Sequence, residues 1–472
     1  MSESLHEKEK QLSTSVVYHN PDVKHLYYLL IPHIDESEFK VLLKKQSGTD
    51  IWTLPSYEPE EHHYAVVQHI NDVCKERFNI DIATLRCFAT HSDDESGEVR
   101  FYALDNLSKE PYPPEGMKWF TEEEIADMTL ASRLQRHIVN DWFQWRHSDD
   151  SLRSAWMRPG WYTKVSNWMV DLADRMSMTG IKKPIQARIW ARSATMSLIT
   201  DEGKLFFKAV PEFFNYEPVI TRVLAIRYPD RAPDVRAVHV ENGWMLMREF
   251  QGKTLTHFED IKMWERAVKE FARLQIDLIS NTQSLIALGV PDRNVDYLAS
   301  QVPRLMQNLP DNLSDEEKLN LHRMSSTLRS MCSELAEFNL PLTLTHGDFW
   351  SGQVIFKDDG KCLFFDWSDA SISHPFFDMC TFLAEVDSEL PHVEGARNHL
   401  LMTYLNEWTR YEPMPNLKHA FALAMVLGYL HQALFYHVHI LPKVESAARW
   451  ELSGMLSYLL RHVLHEMKDF KA

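Results

Sequence analysis

Cysteine is scarce: Cys74, Cys87, Cys332, Cys362 and Cys380 are the only five in 472 residues, odd in number and widely spaced. With no C-x-x-C pair among them, a disulfide framework is excluded and reduced thiols in a cytoplasmic protein are expected. Long hydrophobic runs are missing too, since no stretch approaches the roughly 18 apolar residues that a membrane-spanning helix needs. The first ten residues, Met-Ser-Glu-Ser-Leu-His-Glu-Lys-Glu-Lys, carry charges where a signal peptide carries an apolar core, so neither export nor membrane insertion is expected. Basic residues are outnumbered, 50 Lys and Arg against 67 Asp and Glu, for a net charge of −17. Nucleic acid and anionic membrane are therefore poor partners. A cationic small molecule would be welcome electrostatically, although an acidic surface also serves plain solubility. No fixed-period repeat and no low-complexity tract occurs.

What is present is a chain too long for one compact core, with 44% apolar residues and 14 Trp, which suggests two or three units. Its most informative stretch runs from Thr343 to Asp378. The short apolar runs Val354 to Phe356 and Cys362 to Phe365 flank Lys357-Asp358-Asp359-Gly360-Lys361, whose Asp-Gly pair predicts a hairpin. Asp348 precedes the first strand and Asp366 follows the second, with Gln353 at the first strand's start. Folding the hairpin turns these three oxygen-bearing side chains towards one end.

Such a set suits phosphoryl transfer, in which one carboxylate accepts the attacking hydroxyl's proton while oxygen ligands hold Mg²⁺ on the phosphates. The motif His346-Gly347-Asp348, Gln353 five residues on, Phe365-Asp366-Trp367 and then His374-Pro375-Phe376-Phe377-Asp378 resembles the catalytic segment of aminoglycoside phosphotransferases and their choline-kinase-like relatives. The resemblance implies that Asp348 is the catalytic base and that Asp366 binds metal. Gln353 stands where the family has a metal-binding Asn, and places its amide oxygen roughly 1.5 Å further from the backbone. That departure puts the second metal position in doubt. Asp378 reads as a structural brace for the catalytic loop.

Upstream, strands are expected at His25 to Pro32, Phe39 to Lys44, Ile51 to Pro55, Leu85 to His91 and Val99 to Leu104. A helix is expected from about Glu60 to Phe78, and another opening at Trp119 to Ile125 with a Thr121/Glu124 capping box. Residues 1–18 read as a frayed arm. This order, with Trp52-Thr53-Leu54-Pro55 and Trp119-Phe120, resembles a Nudix domain. Its metal-binding core is degenerate: Asn71 and Lys75 replace an Arg and a Glu, and Tyr57 and His63 fall where a Gly and a Glu belong. A lysine in a divalent-metal shell opposes the ion, so a non-hydrolytic domain is expected.

After a polar break at His147 to Ser151, strands are expected at Ile185 to Trp190, Thr195 to Thr200 and Leu205 to Val210. In the kinase-like resemblance the loop Ala191-Arg192-Ser193-Ala194 covers the ATP phosphates. It has no glycine, so the Ser193 hydroxyl is expected to donate in place of backbone approach. Lys208 lies in an apolar strand and needs a partner, and Glu217 matches the family's. Arg248 to Phe250 resemble the hinge that meets the adenine. Thr256 and Glu259 form a capping-box pattern, and long helices are expected at Glu316 to Phe338, Met379 to Glu385, Ala396 to Thr409, Leu417 to His439 and Ser446 to Met467. Glu385 and Glu407 could hold a cationic acceptor or lie on solvated faces. His437 and His439, two apart on a helix, do not share a face for metal binding.

The resulting expectation is an α+β chain of three pieces. Residues 1–147 form a Nudix-like α/β/α domain. Residues 148–250 form the small β-rich lobe, and residues 251–472 the large helical lobe, of a bilobal protein-kinase-like domain with catalytic segment 343–378. The function expected is transfer of the ATP γ-phosphate to a small-molecule hydroxyl with Mg²⁺. The alternative is a nucleotide-binding pseudokinase or adaptor with a ligand-sensing Nudix-like domain, and a weaker one is a Nudix-type hydrolase. Acceptor and oligomeric state are not encoded in any motif.

Overall fold

A computed structural model of the protein describes residues 24–35, 38–93, 97–108 and 112–471. The arm expected at residues 1–18 lies outside the described residues. Contacts divide the chain into two compact units, Met1–Ala209 with Val444–Leu452, and Val210–Lys443 with Ser453–Ala472.

The first unit begins with two sheets. In one, His25–Leu30 runs parallel to Gly97–Asn106, with Ser56–Tyr57 and Ile82–Asp93 antiparallel at the two sides. In the other, Glu38–Lys45 pairs with Pro32–Asp35, Ile51–Thr53 and Met117–Thr121, and Ile51–Thr53 continues to Thr129–Leu130. The central strand Gly97–Asn106 is buried from Val99 to Asp105, which accounts for its short apolar run Phe101-Tyr102-Ala103-Leu104 in place of alternation. The helix expected from Glu60 starts only at Gln68. Tyr64 and Val67 keep helical spacing but fall outside it, because Val66 bridges to Arg188 and the Val67 amide donates to the Ala187 carbonyl at 3.0 Å. The capping box at Thr121 and Glu124 forms, although Trp119 and Phe120 lie in the preceding strand.

Strands Ile185–Trp190, Ser193–Thr200 and Gly203–Ala209 form the three-stranded antiparallel run, close to the expected bounds. They pack with the N-terminal residues: the Gln186 side chain accepts from Asn71 Nδ2 at 2.9 Å and from the Thr84 amide at 2.8 Å. The segment after Lys443 returns here as well. Buried Glu445 accepts from Arg86 Nη1 (3.2 Å), Arg153 Nε (2.9 Å) and Trp145 Nε1 (3.0 Å), so two guanidinium groups offset one buried carboxylate. This tether breaks the helix expected from Ser446: residues Ser446–Leu452 form a 3₁₀ segment, and a true helix begins only at Met455.

The second unit opens with helix Tyr216–Arg227 and the hairpin Val235–His239/Trp244–Arg248. Helices follow at Ile261–Leu278, Val295–Met306, Asp315–Ala336, Met379–Glu389, Ala396–Glu407 and Met414–Phe435. Asp260 caps the first of these through the Lys262 amide (3.0 Å). Thr256, expected as that cap, instead sits in a 3₁₀ turn with its hydroxyl 2.6 Å from that of Thr254. The helical run Met414–Lys443 has the length and hydropathy to cross a membrane, but 78% of its apolar window is buried in the protein. Lys418, His419, His431 and Gln432 interrupt it as a sequence run, and its apolar faces form core.

Candidate active site in the second unit

The hairpin forms as expected, Val354–Phe356 against Cys362–Phe364, and gains a third strand that was not foreseen, Lys253–Thr254. The chain reaches that position through Gly252, at φ +125°, where a Cβ would stand 2.1 Å from the Phe356 carbonyl oxygen. Only glycine permits this approach. The hinge segment is thereby tied to the catalytic hairpin. Phe250 packs its ring 5.2 Å from that of Phe365, beside Asp366. Arg248 is exposed, and its amide already donates to the Asp234 carbonyl at 2.9 Å. Of the backbone groups of Arg248 to Phe250 expected at an adenine edge, the Arg248 amide is thus engaged within the protein.

Gln353 and Asp366 come to one end of the hairpin: the Phe365 amide donates to the Gln353 carbonyl at 3.3 Å, directly before Asp366. Asp366 adopts φ 67° and ψ 64°, a left-handed conformation that costs a residue with a Cβ about 1 kcal/mol or more. Its Oδ1 accepts from Ser368 Oγ at 3.1 Å.

The Asp348 loop is fastened to the same place. His346, fully buried, puts Nε2 2.8 Å from the Phe365 carbonyl oxygen. Gly347 has φ +82°, and a Cβ there would lie 2.2 Å from the Asp369 carbonyl oxygen, so the glycine of H-G-D is required by contact with the loop that follows Asp366. Asp378 braces the motif from behind, accepting from the His346 amide (2.9 Å), the Gly347 amide (2.8 Å) and Gln275 Nε2 (3.0 Å). Burial pushes its carboxyl up to about 7 against the pull of those donors. The buried Arg293 guanidinium donates to the carbonyls of Asp369 (3.1 Å) and Ala370 (3.0 Å) and stacks 3.8 Å over the Phe435 ring. Arg293 was invisible in the sequence because its loop carries no motif.

Gln275 spans this network: it donates to Asp378 and to the Pro375 carbonyl, and accepts from Tyr404 OH at 2.6 Å. One amide thus donates twice and accepts once. Glu407 is spent on Arg273 at the surface (3.1 Å). His431 is buried, and His439 Nε2 lies 2.9 Å from Tyr297 OH within the π-helical segment Tyr436–Ile440. Among the described residues, no three His, Cys, Asp or Glu side chains gather into a metal site. Mg²⁺ does not require one, because it binds through one or two carboxylates and takes further oxygens from phosphates. The Asp366 carboxylate and the Gln353 amide, brought near one another by the backbone contact between residues 353 and 365, are oxygen donors of the kind that ion takes.

The remaining expected residues are placed as follows. Glu217 is fully buried in the second unit's helix Tyr216–Arg227, and Lys208 is buried in the first unit's strand Gly203–Ala209. The loop expected at residues 191–194 is shorter than supposed, since Ser193 and Ala194 pair with Trp190 and Ile189 and leave a two-residue turn. Ser193 Oγ accepts from Trp190 Nε1 at 2.7 Å, and the Ala191 amide donates to Glu451 Oε2 at 2.6 Å. Both contacts lie within the first unit. The indole bond uses an acceptor position of the Ser193 hydroxyl and not its proton, and the neighbouring Ala191 amide is bonded to a carboxylate.

Residues 220–414 match the family model described as the APH phosphotransferase enzyme family. The segment holding the candidate site is therefore similar to phosphotransferases, a match that covers less than half of the 472 residues. Similar solved structures include an ethanolamine kinase of Plasmodium vivax, at 12% identity and TM-score 0.47, covering 70% of this chain and 93% of its own. The choline kinase LicA of Streptococcus pneumoniae is 12% identical at TM-score 0.43, over 64% of this chain and 99% of its own. The macrolide 2'-phosphotransferase MphH of Brachybacterium faecium is 17% identical at TM-score 0.42, over 61% and 98%. Likenesses this distant carry no weight on substrate. No curated protein matches the chain.

Proposed function

We propose that the protein is a small-molecule kinase that transfers the γ-phosphate of Mg·ATP to a hydroxyl acceptor. The observation that carries the reading is Asp366, held in a strained left-handed conformation at the hairpin end to which the H-G-D loop is fastened. In this reading Asp348 accepts the hydroxyl proton, Asp366 and Gln353 hold Mg²⁺, and Phe250 walls the nucleotide. Magnesium would neutralise phosphate charge. The residues' own part is to orient the hydroxyl, take its proton at the Asp348 carboxylate and hold the loop still. The phosphate-aligning roles of Lys208 and Glu217, a soluble cytoplasmic setting, and a cationic acceptor as one candidate belong to the same proposal. The two N-terminal sheets are proposed to be a Nudix-like domain without hydrolysis. Asn71 is engaged with Gln186 and Thr84, and Lys75 with Asp81 at 2.9 Å, in place of a metal shell.

A second reading, a nucleotide-binding adaptor without turnover, is favoured by one observation: the turn proposed to cover phosphates has its Ala191 amide bonded to Glu451. Thermal unfolding with ATP, with and without Mg²⁺, separates the outcomes, because a ligand bound only to the folded state stabilises it by RT ln(1 + [L]/Kd). Magnesium-dependent stabilisation that disappears in Asp366→Asn supports the kinase. Stabilisation by ATP in both proteins, without phosphate transfer to any acceptor, supports the adaptor. No shift at millimolar ATP or GTP overturns both.

A further inference from the structure

Between Asp348 and Gln353 the chain has no regular structure except a single 3₁₀ turn, Ser351–Gln353, yet both ends carry groups that must be placed to within a fraction of an ångström. Helix Met379–Glu389 lies along that segment. Asp378, at its N-cap, accepts from the amides of His346 and Gly347. Thr381 Oγ1 donates to the Phe349 carbonyl at 2.8 Å. Glu385 Oε1 accepts from the Ser351 amide at 2.6 Å. Positions 378, 381 and 385 are spaced i, i+3 and i+7, which sets them on one helix face. They engage loop residues 347, 349 and 351 in the same order, so one rigid face reads the backbone of an irregular segment residue by residue.

Packing reinforces the register. The Phe349 ring is fully buried, stacked 3.8 Å from Phe271 and 4.8 Å from Phe382 of the same helix. Trp350 is extended, at φ −149° and ψ 170°, and half-buried, whereas Ser351 is fully buried. Asp348 therefore stands between anchors on both sides, at residue 347 and at residues 349 and 351. Surface salt bridging does not account for Glu385: its bond goes to a backbone amide, and Asp348 is among the like charges close enough to act on it.

We propose that Glu385 is a positioning residue for phosphoryl transfer, the distal clamp of a helix face whose Asp378, Thr381 and Glu385 hold the loop from His346 to Ser351 so that Asp348 meets the acceptor oxygen. Glu385 touches neither substrate nor metal in this role. Its removal lets the segment between Asp348 and Gln353 drift, and displacement of a reacting group by about 1 Å costs on the order of a hundredfold in rate. Nucleotide binding is left largely alone.

The inference rests on the proposed kinase reading, and the experiment keeps the two apart. Hydrolysis of Mg·ATP, with water in place of the unidentified acceptor, is measured on the full chain for wild type, Glu385→Ala, Glu385→Gln and Thr381→Val. Glu385→Ala is expected to lower kcat by about ten- to a hundredfold with KM for ATP within about threefold. Glu385→Gln, whose amide oxygen still accepts from Ser351, is expected to recover most of kcat. Thr381→Val, a volume-conserving change that also serves if Glu385→Ala folds poorly, is expected to lower kcat by a smaller factor. Unchanged kcat in both Glu385→Ala and Thr381→Val, or KM rising in step with the loss, overturns the inference while the kinase reading stands. Absence of turnover in wild type with water and with every hydroxyl acceptor supplied overturns the kinase reading and the inference with it.

Discussion

The turn at Ala191–Arg192 in the first unit and the H-G-D loop in the second are both short, irregular pieces of backbone to which the kinase resemblance assigns work on phosphate. They are built in opposite ways. In the H-G-D loop the backbone is held from behind by Asp378, Thr381 and Glu385, and Gly347 appears where close approach requires it. At the Ala191 turn there is no glycine, Ser193 accepts from an indole, and the amide is satisfied by Glu451. A carboxylate on a backbone amide occupies the kind of position an anionic ligand would take. The contrast teaches that the H-G-D loop is held rigidly from behind, while the turn proposed to cover phosphates has its Ala191 amide bonded to an internal carboxylate.

The largest expected effect breaks the comparison on its strong side. Asp348→Asn keeps size and packing but removes the base, and should lower phosphoryl transfer by about 10²–10⁴-fold, measured as kcat with Mg·ATP; an unchanged rate would mean the loop is only a structural turn. Next, Asp378→Ala leaves the amides of His346 and Gly347 and the Gln275 side chain without an acceptor in a buried place. A loss of about 3–5 kcal/mol is expected in denaturant unfolding, whereas a loss below about 1 kcal/mol would show that the brace is dispensable.

A smaller effect concerns pH. Burial holds His374 and His431 neutral, with pKa lowered to about 3 in both. Unfolding frees imidazoles that titrate near 6.5, so the unfolded state binds more protons and stability falls on acidification from pH 7 to 5, by about 2 kcal/mol for each imidazole. Asp378 and Glu385, raised to about 7 and about 8 mainly by burial, act in the opposite sense, because in the same window the folded state binds the extra protons. The shares of these four groups offset one another in the wild type. His431→Phe removes one destabilising share, so its stability at pH 5 relative to pH 7 should exceed that of wild type, as read from Tm at the two pH values. Equal pH dependence in the two proteins would show that His431 is not held neutral.

The smallest effect probes the weak side. Glu451→Gln preserves an acceptor for the Ala191 amide and removes a negative charge, so ATP should bind more tightly by up to about tenfold, roughly 1 kcal/mol. Titration calorimetry measures it. If the affinity does not change, the turn is not a phosphate surface and the contrast drawn above dissolves.

Much of the candidate site was legible beforehand because it lies in one contiguous stretch. The Asp-Gly hairpin, Asp348 ahead of it, Asp366 behind it and Asp378 beyond are all within Thr343 to Asp378, and a hairpin's geometry follows from local turn chemistry. The helix face of residues 378, 381 and 385 was also written at helical spacing, but spacing alone does not say that the face meets a loop's backbone rather than solvent. The start of the helix at Gln68 and the broken helix after Ser446 were misjudged for a common reason. Local periodicity favoured helix at Tyr64, Val67 and onward from Ser446, and distant partners at Ala187 and Arg188, and at Arg86, Arg153 and Ala191, outcompeted it.

By itself the sequence determined the identity and order of the chemical groups: two acidic residues around a hairpin, an amide where a shorter one is usual in the resembling family, five reduced cysteines and an acidic balance. Tertiary structure alone decided which of those groups are strained, clamped or already engaged. Asp366's left-handed backbone, the grip of Glu385 on Ser351 and the bond of Glu451 to Ala191 depend on residues far apart in the chain meeting in a low-dielectric interior, where an unmet hydrogen bond is costly and its partner is set by packing rather than by neighbouring sequence.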